Sequence, residues 1–224
     1  MRDMEQKTIV HLHGFTSSGR STKTQYFRDK LKAFPQVQFH AIDFNPTPAD
    51  FEYVTTTGRI NRLRQYVLDH DLRNISIIGS SYGGLIALHY AHRFGGVEKM
   101  LLLAPGLTWL SWGLSEKELE QWERAGAAPF LHRAFGKEVP IRYDLQVDGL
   151  RYLEPIPPAA PMIIVHGRSD KTVPIEPARA YAANFPDRVQ LIEVDADHDL
   201  NGHLEFIWEH VQSFLKVDTE QGGQ

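Results

Sequence analysis

The stretch that most constrains the fold is residues 75–88, where an apolar strand pattern turns abruptly into an apolar helical pattern. The turn carries the pentapeptide GSSYG at residues 79–83, a match to G-x-S-x-G. In such a turn the central serine, here Ser81, takes a sparsely populated backbone conformation and presents its hydroxyl beyond the strand. Glycines at positions 79 and 83 suit this geometry because side chains there would collide with neighbouring backbone. Ser81 is therefore a candidate nucleophile, and an ordinary tight turn is the alternative interpretation.

Strand and helix patterns alternate along the rest of the chain. Apolar runs predict strands at residues 7–12, 37–42, 74–78, 99–103, 162–165 and 189–194. Helical spacing predicts helices at residues 21–34, 51–71, 82–94, 177–185 and 203–215, and two prolines predict a loop at 43–48. This order is typical of an α/β fold with a doubly wound, mainly parallel sheet of about six strands. In such sheets the ligand site lies beyond the carboxyl ends of the strands.

The length of 224 residues suits a single domain spanning residues 1–224. The alternation loosens over residues 106–158, where short helical signals occur among tryptophans and a capping-box pattern links Ser115 with Glu118. We interpret these residues as a short helical lid, called the insertion below. The polar residues 218–224 predict a disordered tail.

Composition narrows the function classes. The formal net charge of −4 gives no sign of a nucleic-acid surface, and the absence of cysteine excludes disulfides, thiolate metal sites and cysteine nucleophiles. The first residues show no apolar h-region or cleavage site, so no secretory signal is expected, and no apolar run approaches the ~20 residues of a membrane span. A cytoplasmic protein is expected, and the oligomeric state is left open.

Two further predicted strands are followed by side chains that can serve a serine nucleophile. Asp170 follows the strand at residues 162–165, and His198 follows the strand at residues 189–194. A serine hydroxyl needs a base near neutral pKa, which histidine provides, and a carboxylate behind the imidazole fixes its tautomer. The order serine, acid, histidine is the one found on α/β sheets of this kind. The aspartates at positions 195, 197 and 199 are alternatives, but neighbours in sequence are badly placed to support the same ring.

With these motifs in place, the chain resembles α/β-hydrolase-fold serine hydrolases, most closely the small bacterial esterase-like members that lack the first two strands. The resemblance rests on HGF at residues 13–15, GSSYG at 79–83, HGRSDKTVP at 166–174 and the Asp197-His198 pair, and it covers nearly the whole chain. It implies a nucleophile elbow at Ser81 and an oxyanion hole formed by the backbone N–H groups of Phe15 and Tyr82. No cofactor is implied.

Other candidate residues have simpler interpretations. His13 and His166 are expected to be structural, His13 by shaping the oxyanion loop, and His11 is expected to be a satisfied core or face residue. The Asp-x-Asp-x-Asp run at residues 195–199 lacks the glycine and glutamate of a calcium loop, so no metal site is predicted. The tryptophans of the insertion either line an acyl pocket or form the insertion's own core. They are Trp109, Trp112 and Trp122.

The expected function is hydrolysis of small-molecule carboxylic esters through an acyl-enzyme intermediate. Thioesters, amides and carbon–carbon bonds remain open as substrates because they share the tetrahedral path. A non-catalytic binding protein that uses the same pocket is the alternative from another class. The sequence leaves the acyl group, the leaving group and the pathway undetermined.

Overall fold

The computed structural model describes residues 6–109 and 113–217. Its strands are β1 (Lys7–Leu12), β2 (Val37–Ile42), β3 (Ile75–Ser80), β4 (Val97–Leu103), β5 (Ala127–His132), β6 (Lys137–Arg142), β7 (Met162–Gly167) and β8 (Val189–Val194). Its helices are α1 (Thr22–Leu31), α2 (Pro48–Glu52), α3 (Thr56–Asp69), α4 (Tyr82–Phe94), α5 (Glu116–Ala125), α6 (Asp144–Gly149), α7 (Glu176–Asn184) and α8 (Leu204–Leu215). The predicted tail at 218–224 lies outside the described residues.

Six strands form one parallel sheet in the order β2-β1-β3-β4-β7-β8. This confirms the predicted α/β fold with about six strands. The chain moves from β1 to β2 in one direction and then to β3 on the other side of β1. The strand order therefore reverses between β1 and β3, which is where open α/β sheets bind ligands. The loop after β1 and the turn after β3 both lie at this point.

The central strands of the sheet are buried on both faces, so adjacent residues of one strand belong to different cores. Ile77 faces a core with α3, α4, α7 and the insertion, whereas Ile78 faces a core with α1 and α8. Among the described residues, no helix combines the length and hydrophobicity of a membrane span.

Two predictions for this region are wrong, namely one long helix at residues 51–71 and a loop that extends to Pro48. Thr47 and Asp50 form a capping box that starts α2 with Pro48 in its first turn, a position that proline tolerates. Thr55 then caps a separate helix, α3, by accepting a hydrogen bond from the Gly58 N–H. Two capping threonines eight residues apart therefore divide the segment.

The insertion contains helices, as predicted, and also a β-hairpin that the sequence patterns do not predict. Strands β5 and β6 pair antiparallel, and Pro129 faces Pro140 across the pair. The predicted capping box at Ser115 and Glu118 is confirmed at the start of α5. Trp122 and Ile141 belong to the same core as the sheet residues Ile77 and Leu102.

Candidate active site

The turn after β3 holds Ser81 in a strained conformation, with φ 53° and ψ −118°. A non-glycine residue in such a region costs about 1–3 kcal/mol, so the surroundings must impose it. The Ser81 N–H donates to the carbonyl of Leu103 at 2.8 Å, and the N–H groups of Gly84 and Gly106 donate to the Ser81 carbonyl at 2.8 and 3.1 Å. Hydrogen bonds on both sides of the residue therefore fix the direction in which its side chain leaves the turn.

The two glycines of the pentapeptide allow close backbone approach, as predicted. A Cβ at Gly79 would lie 2.9 Å from the Gly83 carbonyl oxygen, and a Cβ at Gly83 would lie 2.3 Å from the carbonyl oxygen of Leu12. Helix α4 thus begins directly against the end of β1. This contact brings the turn that carries Ser81 beside the loop that follows β1.

Gly83→Ala should destabilise the protein by about 3 kcal/mol, because the new methyl group would force α4 away from β1. The clash outweighs the gain of about 1 kcal/mol in helix propensity from glycine to alanine. Urea unfolding monitored by circular dichroism would measure the difference. Gly202→Ala is the matched control, since its Cβ would meet nothing within 4 Å. Equal unfolding free energies for the two variants would contradict the expected clash.

The side chains of Ser81, His198 and Asp170 form one hydrogen-bonded chain across three loops. Nε2 of His198 lies 3.0 Å from the Ser81 Oγ, and its Nδ1 lies 2.7 Å from Oδ2 of Asp170. Because a carboxylate only accepts, Nδ1 carries the proton, which leaves Nε2 to accept from the serine hydroxyl. The Asp170 side chain is fully buried, whereas that of His198 is 19% exposed. This chain of hydrogen bonds therefore runs from the buried Asp170 carboxylate to the surface of the cleft.

Four N–H groups converge on the Asp170 carboxylate. The backbone N–H groups of Thr172 and Val173 each donate to Oδ1 at 2.8 Å. Oδ2 faces His198, and Nε2 of His166 lies 3.3 Å from the same oxygen. His166 also donates to the Val173 carbonyl at 2.9 Å, and burial lowers the pKa of its ring below the ordinary value. A neutral His166 therefore helps to hold the loop that presents Asp170.

His13 orients the peptide that carries the predicted Phe15 donor. The Phe44 N–H donates to Nε2 of His13 at 3.0 Å, so the ring proton resides on Nδ1, which donates to the Gly14 carbonyl at 2.7 Å. Burial is the main cause that lowers the pKa of His13. The Gly14 carbonyl and the Phe15 N–H belong to one planar trans peptide, so fixing the carbonyl also fixes the opposite direction of the N–H.

The predicted oxyanion residues Phe15 and Tyr82 are in contact. Their rings pack edge-to-face with centroids 5.5 Å apart. Tyr82 is the first residue of α4, directly after Ser81, and a Cβ at Gly14 would lie 3.5 Å from the Ser81 Cβ. The structure therefore places both residues beside the serine.

A small cleft, partly open to solvent, adjoins the serine. Its walls come from the start of α4, the segment after β4 and the loop after β7, and they comprise Ser81, Tyr82, Leu85, Gly106, Thr108, Trp109 and Val173. Trp109 forms a fixed wall, because its indole N–H donates to Gln146 at 3.1 Å and its ring lies against Gly149. The cleft lining exposes more apolar than polar surface.

The described residues do not place either of the other two predicted pocket tryptophans at the cleft. Trp122 lies in the core of the insertion, where its indole N–H donates to the Ile141 carbonyl at 2.7 Å. It is 2% exposed and is not among the residues that line the cleft. Trp112 lies outside the described residues. Trp109 is thus the one predicted pocket tryptophan that the described part of the chain places at the serine.

The hairpin of the insertion touches two loops of the site. The Ala134 N–H donates to the Thr16 carbonyl at 3.2 Å, in the loop after β1. Arg133 lies 3.5 Å from Asp199, one residue beyond His198. Phe130 packs edge-to-face on Phe15. The insertion therefore contacts both the predicted oxyanion loop and the histidine loop.

Sequence reasoning missed Arg59, which is 3% exposed and donates to the Phe15 carbonyl. A signal for it exists, because Arg59 precedes the buried Leu63 by four residues and Val67 by eight on the apolar face of α3. Thr108 of the cleft was missed as well, and no pattern marks it.

Two neighbouring polar residues, His11 and Asp197, have hydrogen-bond partners outside the set of Ser81, Asp170 and His198. His11 is buried beside Thr24, and burial lowers its pKa to about 3, in keeping with a neutral core residue. No group of three or more histidine, aspartate or glutamate side chains in the described ranges is arranged to hold a metal ion. Asp197 accepts a hydrogen bond from the Asp199 N–H, and the ring of His198 faces Asp170 instead.

The sequence from residue 8 to residue 216 matches the uncharacterised protein family UPF0227. The chain belongs to family UPF0227. A search of curated proteins gives no match for this UPF0227 chain.

Solved structures show that the UPF0227 chain has the α/β-hydrolase fold. Mouse alpha/beta hydrolase domain-containing protein 10 superposes with a TM-score of 0.75 at 19% identity, covering 93% of this chain and 89% of that one. Est1E from Butyrivibrio proteoclasticus, solved with ferulic acid bound, gives 0.74 at 17% identity and covers 96% and 90%. A monoacylglycerol lipase from Paleococcus ferrophilus gives 0.69 at 13% identity and covers 96% of both chains.

Proposed function

We propose that this protein is a serine hydrolase that cleaves carboxylic esters through an acyl-enzyme intermediate. The observation that carries the proposal is the hydrogen-bonded chain from the Ser81 hydroxyl through His198 to the buried Asp170 carboxylate. The strained conformation of Ser81 adds support, because a strained serine at a strand-to-helix turn is the usual form of an activated nucleophile in this fold. The names of Est1E and the monoacylglycerol lipase agree with this reaction class.

In the proposed acylation step, His198 Nε2 takes the proton from the Ser81 hydroxyl as Oγ bonds to the acyl carbon. The carbonyl oxygen becomes negatively charged and accepts hydrogen bonds from the Phe15 and Tyr82 N–H groups. Asp170 stabilises the imidazolium of His198 without taking its proton. Collapse of the tetrahedral intermediate breaks the ester bond, and His198 returns the proton to the departing alcohol.

Deacylation repeats these steps with water as the nucleophile. His198 removes a proton from the water as its oxygen bonds to the acyl carbon, and the same two N–H groups hold the oxyanion. The bond to Ser81 then breaks, its oxygen recovers the proton from His198, and the carboxylic acid leaves. The cycle uses no cofactor and restores every group to its starting state.

The walls of the cleft favour small acyl groups. Trp109 is held on two sides, since its backbone N–H also donates to the Tyr152 carbonyl at 2.7 Å. The apolar side chains of Leu85 and Val173 would contact an acyl chain and exclude water. We therefore propose short-chain esters as the substrate class, with the corresponding thioesters as chemical relatives.

Labelling of the wild-type chain with a fluorophosphonate probe, followed by peptide mass mapping, tests the proposal. We expect one phosphonylated residue, Ser81, because the probe reacts with activated serines. A series of p-nitrophenyl esters from acetate to dodecanoate should then give the highest kcat/KM at four carbons or fewer. The butyryl ester and a butyryl thioester, compared at equal concentration, would show which leaving group is preferred.

Other outcomes would change the conclusion. Modification at a different serine would remove Ser81 from its proposed role. Absence of both labelling and ester cleavage in well-folded protein would favour a binding protein that uses the cleft as a receptor site. A maximum at long chains would contradict the proposed preference for short acyl groups but not the proposed serine chemistry.

A further inference from the structure

Arg59 packs against the two predicted oxyanion residues, Phe15 and Tyr82. It is in the first turns of α3 and is 3% exposed, which is unusual for a side chain that carries a permanent charge. Its Nη2 donates to the Phe15 carbonyl at 3.1 Å. Its guanidinium carbon lies 4.8 Å from the ring centroid of Tyr82 and 5.7 Å from that of Phe15. One buried side chain therefore contacts both residues.

The start of α3 holds Tyr82 in a second way. The Thr56 hydroxyl lies 2.8 Å from the Tyr82 hydroxyl, so the far end of this ring is hydrogen bonded to the same helix that carries Arg59. A third ring, that of Phe44, lies 5.3 Å from the guanidinium carbon and follows β2. Arg59 thus joins three aromatic residues from three different loops or helix starts.

The peptides on both sides of the Phe15 α-carbon are fixed by buried side chains. His13 holds the Gly14 carbonyl, and Arg59 holds the Phe15 carbonyl. With both peptide planes held, the Phe15 N–H has little freedom to change its direction. Positioning of this kind matters because a displacement of about 1 Å at a reacting centre can cost about 100-fold in rate.

Among the described residues, no carboxylate is hydrogen bonded to Arg59, and Asp43 acts on its charge only from a distance. Its Nε and Nη1 atoms have no hydrogen-bond partner among the described residues, and Nη2 bonds to a neutral carbonyl. Burial lowers the pKa of Arg59 to about 10, which still leaves it charged at neutral pH. A cation in these surroundings favours negative charge on an atom held nearby, because the interior screens charges weakly.

We propose that Arg59 is a positioning residue for acyl transfer, holding Phe15 and Tyr82 so that their backbone N–H groups meet the developing oxyanion. This inference rests on the proposed serine hydrolase function. Arg59 itself touches no reacting atom and acts through the two residues that do. Its effect therefore falls on the transition state rather than on binding of the substrate.

The test compares Arg59→Gln and Arg59→Lys with the wild type in p-nitrophenyl butyrate hydrolysis. We expect kcat to fall by about 10- to 100-fold in Arg59→Gln while KM changes by less than about threefold. Arg59→Lys should recover part of the loss, since lysine restores the charge and one donor but cannot reproduce the planar fork. Arg62→Gln is the matched control, because Arg62 lies on the same helix, 3.8 Å from Asp50 at the surface.

An alkylboronic acid provides a readout that a purely structural role would not move. It forms a tetrahedral adduct with an active serine and places an oxygen where the oxyanion forms. Its inhibition constant should weaken in Arg59→Gln by the same factor as kcat/KM, whereas inhibition by butyrate, the product acid, should be unchanged. A rise in KM alone, or a boronate constant equal to that of the wild type, would overturn the proposal.

Failure of the proposed function and failure of the Arg59 inference give different results. If the wild type shows neither labelling nor turnover, the proposed function fails and this inference fails with it. If the wild type is active and Arg59→Gln matches it, only the role of Arg59 is refuted. Should both Arg59 variants fail to fold, nitrogen-15 NMR of the wild-type arginine side chains decides the matter. The Arg59 Nε–H signal should shift when the boronate adduct forms, and an unchanged signal would reject the proposal.

Discussion

Asp170→Asn is expected to lower kcat by about four orders of magnitude. Two backbone N–H groups donate to Oδ1, so the carbonyl oxygen of asparagine would take that place and its NH₂ group would face His198. Nδ1 of His198 would then have to accept a hydrogen bond, which moves the ring proton to Nε2. The Ser81 hydroxyl would lose its proton acceptor. Steady-state hydrolysis of p-nitrophenyl butyrate measures this loss.

Asp197→Asn provides the matched control for this change. Asp197 is adjacent to His198 in sequence but exposed, and it accepts only the Asp199 N–H in the described hydrogen bonds. Its replacement should change kcat by less than about twofold. The opposite pattern, with Asp197→Asn inactive and Asp170→Asn active, would transfer the proposed role to the neighbouring aspartate.

Ser81→Ala should lower kcat by about six orders of magnitude, leaving only the rate that binding and the oxyanion donors provide. The fold should be unaffected, because serine and alanine both carry a Cβ and meet the same strain at φ 53°. Thermal unfolding would confirm this, and the ester assay would measure the activity. Ser80→Ala, which removes the neighbouring hydroxyl, should retain wild-type turnover.

A double variant strengthens this test. Because Ser81 and His198 are proposed to act as one unit, Ser81→Ala combined with His198→Ala should be no slower than Ser81→Ala. A further large loss in the double variant would mean that His198 acts independently of the serine. Substantial activity in Ser81→Ala would refute the nucleophile directly.

The central strands of the sheet could be predicted from sequence because they are buried on both faces. A run such as Met162 to Val165 has no polar side to present, and continuous apolar runs between turn signals are easy to recognise. The helix at residues 51–71 could not be predicted correctly, because the Thr55 cap that divides it lies within an otherwise helical pattern. Local capping energies of about 1 kcal/mol decide such boundaries, and sequence spacing does not display them.

The hairpin of the insertion could not be predicted from sequence because its strands contain prolines. Pro129 and Pro140 argue against strands in a larger sheet, but in a two-stranded ribbon each strand has an edge without a partner strand. The side chains of Ser81, Asp170 and His198 were found from their positions after strands, since parallel strands end at one edge. Trp122 shows the limit of this reasoning, because residue type does not reveal which side of the insertion a ring faces.

The insertion also serves as the connection between two neighbouring strands. β4 and β7 lie side by side and run parallel, so the chain leaving Leu103 must return to the opposite end of the sheet before Met162. Such a crossover needs a dozen or more residues and is usually made by one helix. Here the segment that carries Trp109 makes it. A redesign of the acyl site therefore cannot simply delete this segment, because the parallel pairing of β4 with β7 depends on its span.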